Sequence, residues 1–149
     1  MARAETSEIL VLAAEDSSDD YLLIQQGFGK MEHIRLVGQV ADGEETIAYL
    51  KGDGQYADRQ KFPFPDLLLL DLKMPGLDGF DVLRWLQTQS FPNLVVIVLS
   101  GSERCEDMSQ ALQLGAHLYQ TKRLDLAQQI QMLKLIEQYM VRQRRGSPE

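Results

Sequence analysis

A chain of 149 residues, 44% of them hydrophobic, is the size of one domain: enough for one good core and too little for two. The formal net charge of −7 argues against general affinity for nucleic acid or anionic membranes, and no apolar stretch reaches the roughly 20 residues of a membrane-spanning helix. The lone Cys105 excludes an internal disulfide and MARAETSE lacks the apolar centre of a signal peptide, so a cytoplasmic protein is expected.

Short apolar runs alternate with helical patterns along the chain. Ile9–Ala14 is the first run, and a helix is expected over Asp19–Lys30 behind the cap candidates Ser17 and Ser18. Ile34–Val40 follows, then a short helix over Gly43–Leu50. The connection Gly52–Pro65 (GDGQYADRQKFPFP) is long, with a Gly52-Asp53-Gly54 turn, and reads as a surface loop or a functional segment. Asp66–Leu70 is the third run; the helix after it, Asp78–Gln89, places Phe80, Leu83 and Leu86 at helical spacing. Leu94–Leu99 is the fourth run, followed by a helix over Glu103–Leu114 that Ser102 would cap and Gly115 would end. A weaker run, His117–Thr121, leads to the longest helix, Leu124–Val141. The ends, Met1–Ser7 and Arg142–Glu149, look mobile, leaving a single domain over 1–149 with its core at about 8–141.

Three runs (ILVLAA, LLLL, LVVIVL) are apolar at nearly every position, as strands buried on both faces of a parallel sheet are. Five strand–helix repeats predict an α/β fold with a doubly wound parallel sheet. Such sheets bind ligands beyond the carboxyl ends of their strands, where strand order reverses. The residues just after the runs are Glu15 and Asp16, then Asp71, then Ser100 and Gly101, then Lys122.

Carboxylates, a hydroxyl and an ammonium therefore converge on one edge. Packed carboxylates repel, and a hard divalent cation relieves them; carboxylate and water ligands suit Mg²⁺. Lys122 adds a mobile point charge suited to a phosphoryl oxygen, and the Ser100 hydroxyl can donate to another. This is what phosphoryl transfer needs, with the Asp71 carboxylate as nucleophile. Taken singly, the acidic pair reads as a cap or loop, Asp71 as a turn residue, Ser100 as a cap and Lys122 as a surface charge. Their joint placement at successive strand ends favours the site.

The stretches ILVLAAEDSSDD, PDLLLLDLKMPGLDGFDVL, VVIVLSGS and GAHLYQTK resemble the receiver domain of two-component response regulators over roughly Glu8–Tyr139. The resemblance implies a flavodoxin-like (βα)5 fold with strand order 2-1-3-4-5. It implies Asp71 as phosphoacceptor, and Mg²⁺ held by Glu15, Asp16, Asp71 and the backbone carbonyl of Lys73, with Asp16 the more direct ligand of the acidic pair. It assigns Ser100 the conserved hydroxyl and Lys122 the conserved lysine. It makes Ser100 and Tyr119 the switch pair, read out on the face of the fourth helix, fifth strand and fifth helix. The implied partners are a sensor histidine kinase or phosphotransfer protein and a downstream protein. The long Gly52–Pro65 connection, and the expectation of a stand-alone receiver without an output domain, look like the small regulators associated with bacterial phytochromes. One departure stands out: the family has proline after the lysine with a cis peptide, and here Arg123 follows Lys122. The expectation is a trans bond with a reshaped loop or a cis bond held by strain.

The last helix carries two stripes, Leu126, Ile130 and Leu133, and Met132, Ile136 and Tyr139, where a helix on a sheet needs one. The second stripe suggests a protein interface such as a homodimer, or else wider burial under the N-terminal segment. His33 and His117 read as structural, Trp85 as core or edge, and the basic Arg142, Arg144 and Arg145 as a solvated tail. Two other readings compete. A Mg²⁺-dependent phosphatase or hydrolase would use Asp71 on small substrates, but the second acidic residue such enzymes carry two positions later is here Lys73. A degenerate receiver would bind a partner without phosphorylation, which the intact acidic pair, Asp71, Ser100 and Lys122 disfavour and the Arg123 departure keeps open. Neither nucleic acid nor membrane is an expected partner.

Overall fold

The computed structural model describes residues 8–122 and 125–146. Five strands, β1 (Ile9–Ala14), β2 (Ile34–Val40), β3 (Leu67–Leu70), β4 (Val95–Ser100) and β5 (Leu118–Thr121), alternate with five helices. These are α1 (Ser18–Phe28), α2 (Gly43–Lys51), α3 (Gly79–Leu86), α4 (Cys105–Gln113) and α5 (Leu126–Gly146). The strands form one parallel sheet in the order β2-β1-β3-β4-β5. The expected doubly wound, flavodoxin-like fold is therefore the one observed.

Every residue of β1 and β3 is buried. One face of the sheet, with Leu12, Leu68 and Val96, packs against α2, α3 and α4 through Tyr49, Leu83 and Ala111. The other, with Val11, Leu69 and Ile97, packs against α1 and α5 through Ile24, Phe28, Leu133 and Ile136. Alternate side chains of the same strand thus feed two cores, which is why these runs lack polar positions. No helix among the described residues is long and apolar enough to cross a membrane.

Several expectations need correction. The fourth helix begins at Cys105, with Arg104 at its N-cap and no side-chain cap. Ser102 is engaged elsewhere: its hydroxyl donates to Asp107 Oδ2 at 2.6 Å and accepts from the Arg104 N–H at 3.2 Å. The proposed outer stripe of the last helix is also mostly core. Met132 and Ile136 are buried with α1 and the sheet, while the exposed leucines of α5 are Leu126 and Leu135, each 53% accessible. The helix lies in the groove between α1 and the sheet and so buries a wider arc than one stripe.

The Gly52–Pro65 connection is more than a bare loop. It contains a short 3-10 helix, Gly54–Ala57, and the rings of Tyr56 and Phe62 pack on Tyr49 of α2. Arg59 lies over the rings of Tyr49 and Phe64 and donates to the carbonyls of Leu50 and Phe62. His117 is tied into the sheet edge, its Nδ1 accepting from the Val96 N–H at 3.1 Å. Arg123, and with it the question of the Lys122–Arg123 peptide, lies outside the described residues, as do Met1–Ser7 and Ser147–Glu149.

Candidate phosphoryl and metal site

The order of the strands reverses between β1 and β3, so their carboxyl ends flank the crevice where an open α/β sheet binds ligands. Glu15 and Asp16 follow β1 directly and Asp71 follows β3 directly. Glu15 is 2% and Asp71 6% accessible, while Asp16 is exposed. Each of the three offers an oxygen within 4.8 Å of the others. This is a compact set of hard oxygen donors, of the kind that suits Mg²⁺ or Mn²⁺, with one ligand facing solvent so that an ion can enter with part of its water shell.

Lys122 comes from the opposite side. Its backbone N–H donates to the Ser100 carbonyl at 2.8 Å, continuing the β4–β5 pairing one residue beyond β5. From there its ammonium reaches Glu15 Oε1 at 2.6 Å, Asp20 Oδ2 at 2.9 Å and Asp71 Oδ2 at 3.1 Å. An ammonium has three N–H donors, and three carboxylates surround it.

Burial raises the Glu15 pKa to about 7, aided by the neighbouring Asp71 charge and opposed by the Lys122 hydrogen bond and the Ser17 N–H. Burial alone would lower the pKa of Lys122, but hydrogen bonds to Glu15 and Asp20 and the Asp71 charge together raise it. The lysine is therefore firmly cationic, and the carboxylates outnumber it. That surplus of negative charge is what a divalent cation would balance.

The β3–α3 connection closes the site from below. The Lys73 N–H donates to Asp71 Oδ1 at 3.2 Å, and the Gly79 N–H donates to the Leu72 carbonyl at 3.0 Å. A Cβ at Gly79 would stand 2.5 Å from the Asp71 carbonyl oxygen and 2.7 Å from Leu72 Cα, so the chain passes too close for any side chain. Asp78 and Asp81 then start α3 with a reciprocal capping box.

Ser100 ends β4 fully buried, its Oγ accepting from the Ser102 N–H at 3.2 Å. The Tyr119 hydroxyl, half-buried on β5, donates to the Ser102 carbonyl at 2.8 Å. A chain of hydrogen bonds thus links the hydroxyl at the site's edge to the aromatic on the neighbouring strand.

The structure brings together Glu15, Asp16, Asp71 and Lys122, as the sequence leads one to expect, with Ser100 and Lys73 on adjoining segments. Two further participants, one of them the cap candidate Ser102, are not among the residues that the sequence marks for the site. Asp20 touches Lys122 from the first turn of α1, and Ser102 joins Ser100 to Tyr119. The signal for Asp20 is its place in the first turn of the helix that opens directly after the acidic pair.

A family model described as response regulator receiver domain matches residues 11–134. Rcp1 of Synechocystis sp. is 30% identical over 133 residues, covering 87% of each chain. The response regulator GacA of Pseudomonas viridiflava is 32% identical over 122 residues; they cover 79% of this chain but 52% of GacA, so the chain spans about half of that relative. Among solved structures, the phosphorylated cyanobacterial phytochrome response regulator RcpA aligns with a TM-score of 0.80 at 34% identity, covering 91% of this chain and 95% of RcpA. The Mn²⁺-bound form of Rcp1 aligns at 0.75 and 30%, covering 88% and 93%. Fold, acidic crevice and relatives agree: the chain belongs to the response regulator receiver domain family of two-component signalling.

Proposed function

We propose that this chain is a single cytoplasmic receiver that takes a phosphoryl group onto Asp71 from a sensor histidine kinase or phosphotransfer protein, and signals through protein–protein contacts. The observation that carries this reading is the placement of Asp71: buried at the strand end, in one cluster with Glu15 and Asp16, and 3.1 Å from the Lys122 ammonium. A free surface aspartate has none of these.

In the proposed step an Asp71 carboxylate oxygen attacks the donor phosphorus. The new O–P bond forms as the bond from phosphorus to the donor nitrogen or oxygen breaks, and the leaving group keeps that electron pair and takes a proton from water. Charge on the phosphoryl oxygens must be met, since catalysis here is positioning and electrostatics. Lys122 is already aimed at Asp71 and needs only to shift to a phosphoryl oxygen. The Ser100 hydroxyl accepts from Ser102 and so retains its own proton to donate to another. Glu15, Asp16, Asp71 and the Lys73 carbonyl would hold Mg²⁺, which when bound neutralises carboxylate and phosphoryl charge. The Mn²⁺-bound form of Rcp1 and the phosphorylated form of RcpA support both assignments.

On this reading the chain turns over no external substrate; it catalyses only its own phosphorylation and dephosphorylation. Ser100 and Tyr119 are the switch, because a Ser100–phosphoryl hydrogen bond exists in one state only. The exposed Leu112 of α4 and Leu126 of α5 lie on the elements from which a downstream protein or a second copy would read the state. Sedimentation at several concentrations tests the second copy; a monomer throughout, with and without phosphate, removes it.

The decisive test is incubation with Mg²⁺ and a small acyl phosphate, followed by intact mass of the parent and of Asp71→Asn. One added phosphate in the parent and none in the variant is expected. Equal labelling of both excludes Asp71 as the acceptor.

A further inference from the structure

We propose that Asp20 is a positioning residue that draws the Lys122 ammonium to the outer side of the site, so that the ammonium and a divalent cation occupy it together. The proposal rests on reading Glu15, Asp16 and Asp71 as the cation site.

Of the three carboxylates around Lys122, Glu15 and Asp71 also belong to the cation cluster; Asp20 does not. A cation entering that cluster competes with the ammonium for the same oxygens and repels it. A lysine held by Glu15 and Asp71 alone would have to leave or block the ion. Asp20 offers it an anion outside the cluster, at 2.9 Å, on a side chain 39% accessible to solvent. The four-carbon lysine stem can swing to it without any backbone change.

The local sequence leaves Asp20 free for this task. It is the third residue of α1, behind the N-cap Ser17. An acid at that position ordinarily reaches back to the N-cap N–H, as Asp81 does to Asp78 in α3 at 3.0 Å. In α1 the Ser17 N–H instead donates to Glu15 Oε2 at 3.1 Å. The Asp20 backbone stays anchored, its N–H donating to Ser17 Oγ at 3.2 Å, while its carboxylate points to Lys122. The α1 cap thus serves the site twice, orienting Glu15 and releasing Asp20.

The test is the Mg²⁺ dissociation constant of the unphosphorylated full chain by titration calorimetry, for the parent, Asp20→Asn, Lys122→Met and the double variant. Interacting network residues show measurable coupling, so Asp20→Asn should weaken Mg²⁺ binding about threefold to tenfold when Lys122 is present. With Lys122→Met the same change should cost less than about twofold. Asp20→Glu should recover most of the loss. An equal loss in both backgrounds would mean that Asp20 acts only as a distant charge, and no loss in either would give it no part; both overturn the proposal. A parent that binds no Mg²⁺ at all fails the cation-site reading itself, a different result from binding that is indifferent to Asp20.

Discussion

The Lys122 ammonium lies 2.6 Å from Glu15 Oε1, joining the end of the fifth strand to the end of the first across a sheet in which the two strands are not neighbours. Glu15 nevertheless holds its proton more tightly than an ordinary carboxylate, because burial outweighs the lysine.

That balance sets a pH dependence. With a folded pKa of about 7 against 4.5 for a solvated glutamate in the unfolded chain, the folded chain binds the extra proton between those limits. Stability from this group is complete below pH about 4.5 and is lost as pH rises through about 7, a swing on the order of 3 kcal/mol. Urea unfolding of the parent and of Glu15→Gln in chelator, across this window, should show the difference between them growing with pH in favour of the variant. Added Mg²⁺ should shrink that difference.

Gly79 is held by contact. Gly79→Ala would push a methyl carbon into the Asp71 carbonyl and Leu72 Cα, both rigid backbone. A loss of about 1–3 kcal/mol is expected by thermal or urea unfolding, together with slower labelling of Asp71. Unchanged stability would mean that the β3–α3 connection yields easily.

Tyr119→Phe removes one hydroxyl, the donor to the Ser102 carbonyl. The expected cost is about 0.5–1.5 kcal/mol. Hydrogen exchange should rise selectively in the segment between β4 and α4 while β1 and β3 stay protected.

The two apolar neighbours Leu135 and Ile136 should behave oppositely. Ile136 is 2% accessible in the α1–α5 core and Leu135 is 53% accessible. Ile136→Ala should cost about 2–5 kcal/mol and Leu135→Ala within about 0.5 kcal/mol, measured by urea unfolding. Similar costs would contradict the burial of the outer stripe.

Much of this molecule is legible without coordinates. Runs such as ILVLAA and LLLL specify their strands because a strand covered on both faces admits no polar residue, and β1 and β2 begin and end where the apolar runs do. The acidic pair, Asp71 and Ser100 are equally visible, because each directly follows such a run, while Lys122 follows the weaker run His117–Thr121; a parallel sheet carries all these strand ends to one rim. What the tertiary structure alone decided involves choices among competing partners. Ser102 could cap a helix or bond Asp107, and only the packed loop selects the second. Asp20 could close a capping box or meet a lysine 102 residues away, and the choice depends on Glu15 having already taken the Ser17 N–H. The arc of α5 that is buried depends on how deeply the helix settles between α1 and the sheet, which periodicity along one helix does not contain. Local pattern determines which segments fold into strands and helices; contacts between distant segments determine which polar groups pair, because each donor has several acceptors within reach and the fold allows only one.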